Sequence, residues 1–160
     1  MRFEHGFRVQ LEWTGDLGRG TADARAYSRE HVLRAEGHHE IRGSADRVFH
    51  GDAALWNPEQ MLLGALSQCH LLAYLYEAAA NGVVVVGYTD DATATLKTEA
   101  DGSGAVTEAV LRPVVTIAAG DPGLAQRLHD SAKSKCFIAN SVAFPVRHEP
   151  VVLLADDPLS

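Results

Sequence analysis

Two side chains stand out as potential redox nucleophiles, Cys69 and Cys136, the only cysteines in the chain. A cysteine thiolate can attack an electrophilic oxygen or sulfur, become a sulfenic acid, and condense with a second thiol to a disulfide. The same residues could instead bind zinc with His70, His129 or His148, or serve acyl transfer beside a base. The cysteines lie 67 residues apart, so they form no local CxxC unit and only the tertiary fold can bring them together. Their spacing matches no zinc pattern, and no protease signature surrounds Cys69. A free cysteine is also commonly a small buried hydrophobe. The surrounding elements must decide between these readings.

Cys69 falls in Gln68-Cys69-His70, inside the longest apolar stretch of the sequence. Asn57 is a good N-cap, Pro58 fits the first helical position, and Gln60 completes a capping box. Helix formers continue to Asn81, with Gly82 as the stop. That predicts a helix of roughly 24 residues and about 36 Å. Leu, Met and Ala cover nearly its whole circumference, which predicts burial on most sides, one route being packing against a partner subunit. Glu59, in its first turn, is ten residues before Cys69, or roughly 15 Å along the axis and on another face. It can complement the helix dipole. To influence the sulfur it needs an intermediary cation, for which arginine is suited because it stays charged and forks between two acceptors.

Around this helix the pattern alternates with period two. Phe7 to Trp13 and Arg25 to Ala35 read as strands, the second placing Arg25, Tyr27, Arg29 and His31 on one face. A short segment near Ile41 follows, and residues 43–55 read as loop. After the helix, Val83 to Tyr88, Ala92 to Glu99 and Val106 to Ile117 read as strands, with a turn at Asp101-Gly102-Ser103-Gly104. Asp121-Pro122 opens a second helix to about Lys135, with Cys136 at its end, and Val146 to Leu154 reads as a last strand. This order predicts an α+β protein in one domain spanning residues 1–160.

Composition narrows the function. With 21 acidic and 14 basic residues the net charge is −7, and the basic residues are scattered, so no nucleic-acid partner is expected. Two cysteines are too few for a stapled secreted fold. Met1-Arg2-Phe3-Glu4-His5 lacks a signal-peptide pattern, and the Met61 to Ala80 stretch is interrupted by Gln68, His70 and Glu77. A cytoplasmic protein with free thiols, no membrane contact and no cofactor is the expectation.

Asn57-Pro58-Glu59-Gln60-Met61-Leu62, followed by Leu66-Ser67-Gln68-Cys69-His70, resembles the central-helix signature of the OsmC/Ohr family of cysteine-based peroxide reductases. Lys135-Cys136-Phe137-Ile138-Ala139-Asn140-Ser141 resembles the segment carrying that family's second cysteine. The order of elements matches from about Phe7 to Leu154. The resemblance implies curved, mostly antiparallel sheets around a long central helix in an intertwined homodimer. It further implies that Cys69 is the peroxidatic thiolate, Cys136 the resolving thiol, and Glu59 the anchor of an activating arginine. The substrate would be an organic hydroperoxide, and the reductant of the disulfide a dithiol, typically lipoyl-linked. Arg29 is the first candidate for that arginine, Arg25 the next, with Arg19 and Arg47 also open. Departures from the family pattern are His70 after the first cysteine and Phe137, not proline, after the second; they bear on substrate preference. A binding module that keeps the scaffold without turnover is the alternative.

Overall fold

The computed structural model describes residues 3–156; Met1, Arg2 and the end of the C-terminal tail lie outside the described residues. The chain forms two compact units, Met1–Met61 and Leu62–Ser160. It is α+β, with nine strands and two α-helices among the described residues.

The N-terminal unit holds an antiparallel sheet of β1 (Gln10–Trp13), β2 (His31–Arg34) and β3 (Ile41–Gly43), in that order. The expected second strand, from Arg25 to Ala35, is shorter than its alternation suggests. Residues before His31 form a turn, held at Tyr27 by an isolated bridge to Asp16. Local side-chain bonds prevail there: Asp23 accepts from the Arg25 backbone N–H, and Asp16 accepts from Gly18 and Gly20. Arg25 and Arg29 therefore do not share a strand face with His31. The expected loop before the helix contains one 3-10 turn, Arg47–Phe49, capped by Asp46.

Helix α1 spans Pro58–Ala80. Its N-terminus is the capping box read from the sequence: Gln60 N–H donates to Asn57 Oδ1 at 2.8 Å, and Asn57 N–H to Gln60 Oε1 at 3.2 Å. Gly82 stops it with φ 72°, a left-handed conformation that only glycine adopts readily, while Val83 N–H bonds back to the Ala78 carbonyl.

In the C-terminal unit, β4 (Val84–Asp90), β7 (Pro113–Ala119) and β9 (Val151–Leu154) form one sheet; β5 (Thr93–Thr98), β6 (Gly104–Leu111) and β8 (Val146–His148) form another. Two expected long strands are thus broken, Val106 to Ile117 at Arg112 and Val146 to Leu154 at Glu149-Pro150. In each case the chain leaves one sheet and enters the other next to a proline, which has no N–H for a ladder. The β4-to-β5 passage, through Asp91-Ala92, also crosses between the two sheets, without a proline. Arg112 ties these crossings together: its backbone N–H donates to Asp90, and its guanidinium to Asp91, Thr93 and Glu149.

Helix α2 (Pro122–Lys135) starts at Asp121, whose carboxylate accepts from Leu124 N–H. Tyr74 and Ala78 of α1 pack with Val115 and Ile117 of β7 and Ala125, Leu128 and Ala132 of α2. Farther up α1, Leu66 packs with Ala109, Leu111 and Val146 of the second sheet. The buried side of α1 is a single stripe, Leu66, His70, Tyr74, Glu77 and Ala78. The expectation of burial on most sides is not met within this one chain: Leu72 and Tyr76 are 64% and 70% exposed. Tyr74 is fully buried and its hydroxyl donates to the Ala125 carbonyl at 3.0 Å, so ring packing and a satisfied polar tip hold α1 to α2 together.

Candidate active site

The C-terminal unit contains a cavity of about 480 Å³ built from two short segments. One is the face of α1 that presents Cys69, Leu72, Ala73 and Tyr76, positions three and four apart. The other is the end of α2 and the chain beyond it, which contributes Ser134, Lys135, Phe137 and Asn140. The wall is largely apolar, with Cys69 as its potentially reactive residue and Lys135 as its charged one.

Cys69 is half-buried and Cys136 is buried; both are free thiols. The fold brings the two sequence-distant cysteines close enough for the Cys69 thiol to act on the Cys136 thiol. Cys136 occupies the C-cap of α2, its backbone N–H bonded to the Lys133 carbonyl, and its sulfur accepts from Ala139 N–H at 3.5 Å. Burial, with the neighbouring Cys69 thiol adding to it, pushes the Cys136 thiol up to about 11. It therefore stays protonated at neutral pH. Of the pair, Cys69 has the cavity access that a nucleophile needs, while Cys136 is placed to act on whatever forms at the Cys69 sulfur.

His70, next to Cys69, points the other way, as residues about 100° apart on a helix must. It is fully buried and pairs through Nε2 with His129 Nδ1 at 3.0 Å. The His148 ring lies 4.2 Å from His70, and Tyr74 stacks on His129 at 4.0 Å. Burial holds His70 at about 3 and His129 at about 4, with the neighbouring imidazoles adding to the effect. Both rings are neutral at pH 7, so His70 offers the thiol no positive charge. Among the described residues no group of three or more His, Cys, Asp or Glu is arranged to hold a metal ion.

Glu59 and the four candidate arginines belong to the N-terminal unit. Glu59 stands in the first turn of α1 and makes no ion pair among the described residues. Arg29 donates to the Tyr27 and Ala24 carbonyls at 3.0 and 2.8 Å, with its guanidinium 4.4 Å from the Tyr27 ring centre. Those two bonds orient the group and leave the rest of its five N–H donors available. Arg25, Arg19 and Arg47 are exposed.

Sequence reasoning missed Lys135, the charged residue of the cavity wall. Lys135 Nζ lies 2.5 Å from Glu77 Oε1, and Glu77 Oε2 accepts from Ser131 Oγ at 2.5 Å. The signal was present: Glu77 follows His70 and Tyr74 at helical spacing, so a carboxylate stands on the buried stripe. Among the described residues no helix is long and apolar enough to cross a membrane.

Comparison with known proteins agrees with this architecture. The family model described as OsmC-like protein matches residues 50–150. The solved structure of an OsmC-like protein of unknown function from Vibrio cholerae is 30% identical, covers 92% of this chain and 100% of its own, and superimposes with a TM-score of 0.84. Two organic hydroperoxide resistance proteins share the fold at lower identity. That of Elizabethkingia anophelis is 14% identical, covering 97% of this chain and 100% of its own, with a TM-score of 0.69. OhrB of Bacillus subtilis is 16% identical, covering 92% and 98%, with a TM-score of 0.60. No curated protein matches the chain in sequence. With the family model spanning most of its length, both cysteines included, the chain belongs to the OsmC-like protein family.

Proposed function

We propose that the protein is a thiol-dependent peroxidase that reduces organic hydroperoxides to alcohols. The observation that carries this reading is the proximity of two free cysteines, Cys69 lining an apolar cavity and Cys136 buried close to it. The Cys69 thiolate attacks the terminal peroxide oxygen; the O–O bond breaks, the alcohol leaves with a proton, and Cys69 becomes a sulfenic acid. Cys136 then attacks the Cys69 sulfur. The S–O bond breaks, the S–S bond forms, and the Cys136 proton leaves with the hydroxyl as water. A dithiol, of which a lipoyl group is one type, reduces the disulfide by exchange. The cavity's apolar wall of Leu72, Ala73, Tyr76 and Phe137 suits a hydroperoxide with a hydrocarbon body.

Thiolate activation by an arginine anchored to Glu59, with Arg29 first among the candidates, belongs to this proposal. So does assembly of one OsmC-like domain, residues 1–160, into a homodimer. Leu72, Tyr76 and Phe137, exposed at 64%, 70% and 80%, supply apolar surface for a second copy to cover.

The test is hydroperoxide consumption by the purified protein with a dithiol present. Wild type is expected to turn over many equivalents. Cys136→Ser keeps the attacking thiol but has no internal partner, so it should consume about one equivalent per site and then stall or oxidise further. A Cys136→Ser protein with the wild-type steady-state rate, or a wild type that leaves hydroperoxide untouched, would reject the proposal. The second result would favour a binding module.

A further inference from the structure

Cys136 follows the last residue of α2, in a stretch where Ser134 and Lys135 are exposed and Phe137 projects into solvent. The last carbonyls of a helix lack i+4 partners, and here local bonds take their place: Cys136 N–H donates to the Lys133 carbonyl, Asn140 Nδ2 to that of Ser134 and Asn140 N–H to that of Cys136. These bonds shape the turn but none of them reaches α1, so the placement of Cys136 near Cys69 also depends on what fixes the last turn of α2 to α1. Glu77 does so from α1. It is 5% exposed, the only buried carboxylate among the described residues, and it receives Ser131 Oγ on one oxygen and Lys135 Nζ on the other, both at 2.5 Å. A carboxylate on the buried stripe of an otherwise apolar helix is costly unless paired, and an apolar residue could fill the site at lower cost. Glu77 is eight residues beyond Cys69, about 12 Å along the axis, so it does not touch the reacting sulfurs. Its partners flank Cys136 at the preceding residue and one turn before.

We propose that Glu77, through Lys135 and Ser131, is the positioning residue that holds Cys136 beside Cys69 for disulfide closure. This deepens the peroxidase reading and rests on its pair of cysteines. Without the clamp the last turn of α2 loosens, the Cys69 sulfenic acid is still formed, and the buried thiol reaches it less often. The proton and electron balance of closure is unchanged: Cys69–SOH and Cys136–SH give the disulfide and water. Only its rate falls.

Positioning can be measured without peroxide. With the aryl disulfide dithiobis-nitrobenzoate, Cys69 displaces one coloured aryl thiolate and forms a mixed disulfide. Cys136 then attacks the Cys69 sulfur and displaces the second, losing its proton to solvent. In Cys136→Ser the second release disappears, which identifies the phase. Glu77→Gln is expected to keep the first phase within about twofold and to slow the second by about tenfold, since small losses of alignment cost this much. Lys135→Gln should lower the ratio of second to first rate in the same way, and Lys135→Arg, which keeps the charge, should restore it. If Glu77→Gln does not fold, the exposed Lys135 pair decides alone. A lowered melting temperature with an unchanged ratio makes Glu77 merely structural and overturns the proposal, as does a wild-type ratio in Lys135→Gln. A parallel arm adds one equivalent of an organic hydroperoxide and traps sulfenic acid, which should persist in Glu77→Gln. If the wild type is not oxidised in that arm, the peroxidase reading fails, while the aryl disulfide phases still judge Glu77.

Discussion

Cys69→Ser is expected to lower hydroperoxide turnover at least about a thousandfold, to the level of the reagent mixture without protein. The hydroxyl that replaces the thiol has nearly the same shape, so the half-buried site keeps its packing. What is lost is the nucleophile itself: an alcohol is neither ionised near neutral pH nor able to hold oxygen as a sulfenic acid. Cys136 cannot substitute, because it is 1% exposed and its thiol is held at about 11. The rate is measured as peroxide-dependent loss of dithiol, alongside the melting temperature of the variant. Turnover within tenfold of wild type, with the fold intact, removes Cys69 from the mechanism.

The second large effect is on stability in acid. His70 and His129 are 0% and 2% exposed, hydrogen-bonded to one another, and held at about 3 and about 4 by burial. His148 of β8, packed on His70, is also lowered by burial, then by Lys133 of α2; Asp90 of β4 and Asp130 of α2 partly oppose this. Unfolded histidines titrate near 6.5. The folded pKa values are depressed, so the unfolded chain binds more protons once pH falls below about 6.5. Stability is then full above that pH and declines as pH falls toward the folded values. Each histidine contributes a slope of about 1.4 kcal/mol per pH unit in that window, so the pair loses about 5 kcal/mol between pH 7 and pH 4.5. Since small proteins are stable by about 5–15 kcal/mol, a large fall in the denaturation midpoint should follow. Glu77, held low first by Lys135 and then Ser131, keeps its contribution until pH falls below the usual carboxylate value. Urea titrations at the two pH values, with His129→Gln for comparison, separate these groups. The variant should be less stable at pH 7 and less sensitive to acid; equal pH sensitivity would exclude the histidine pair as the cause.

Legibility in the sequence followed the range of the interactions. Asn57, Pro58, Gln60 and Gly82 act within one turn of chain, and α1 begins and ends where they predict. The placement of α2 after Asp121 was equally local. Strand boundaries were not, because alternation alone does not say when a strand changes sheet. Pro113 and Pro150 mark those breaks, but Arg112's links to Asp90, Asp91, Thr93 and Glu149 exist only in the folded chain. Residues 25–30 misled for a related reason: they alternate like a strand, yet Asp23, Arg29 and Tyr27 bond within their own turn. At the candidate site, the two cysteines and their order were legible through chemistry and resemblance. Lys135 and Phe137 as cavity walls, and the meeting of His70 with His129 and His148, required the packing of α1 against α2 and β8. Glu77 was legible in type but not in role, since nothing in the sequence says that its partners sit beside Cys136.

The central claim is that Cys69 and Cys136 form one redox unit, and it can be tested by following where oxidation goes. Fully reduced protein is mixed with one equivalent of an organic hydroperoxide, quenched by alkylation, and digested without reductant for peptide mass spectrometry. The expected product is a Cys69-to-Cys136 linked peptide lacking two hydrogens, formed as the hydroperoxide disappears and reversed by a dithiol. Recovery of both cysteines as alkylated thiols, with the hydroperoxide still present, would contradict it.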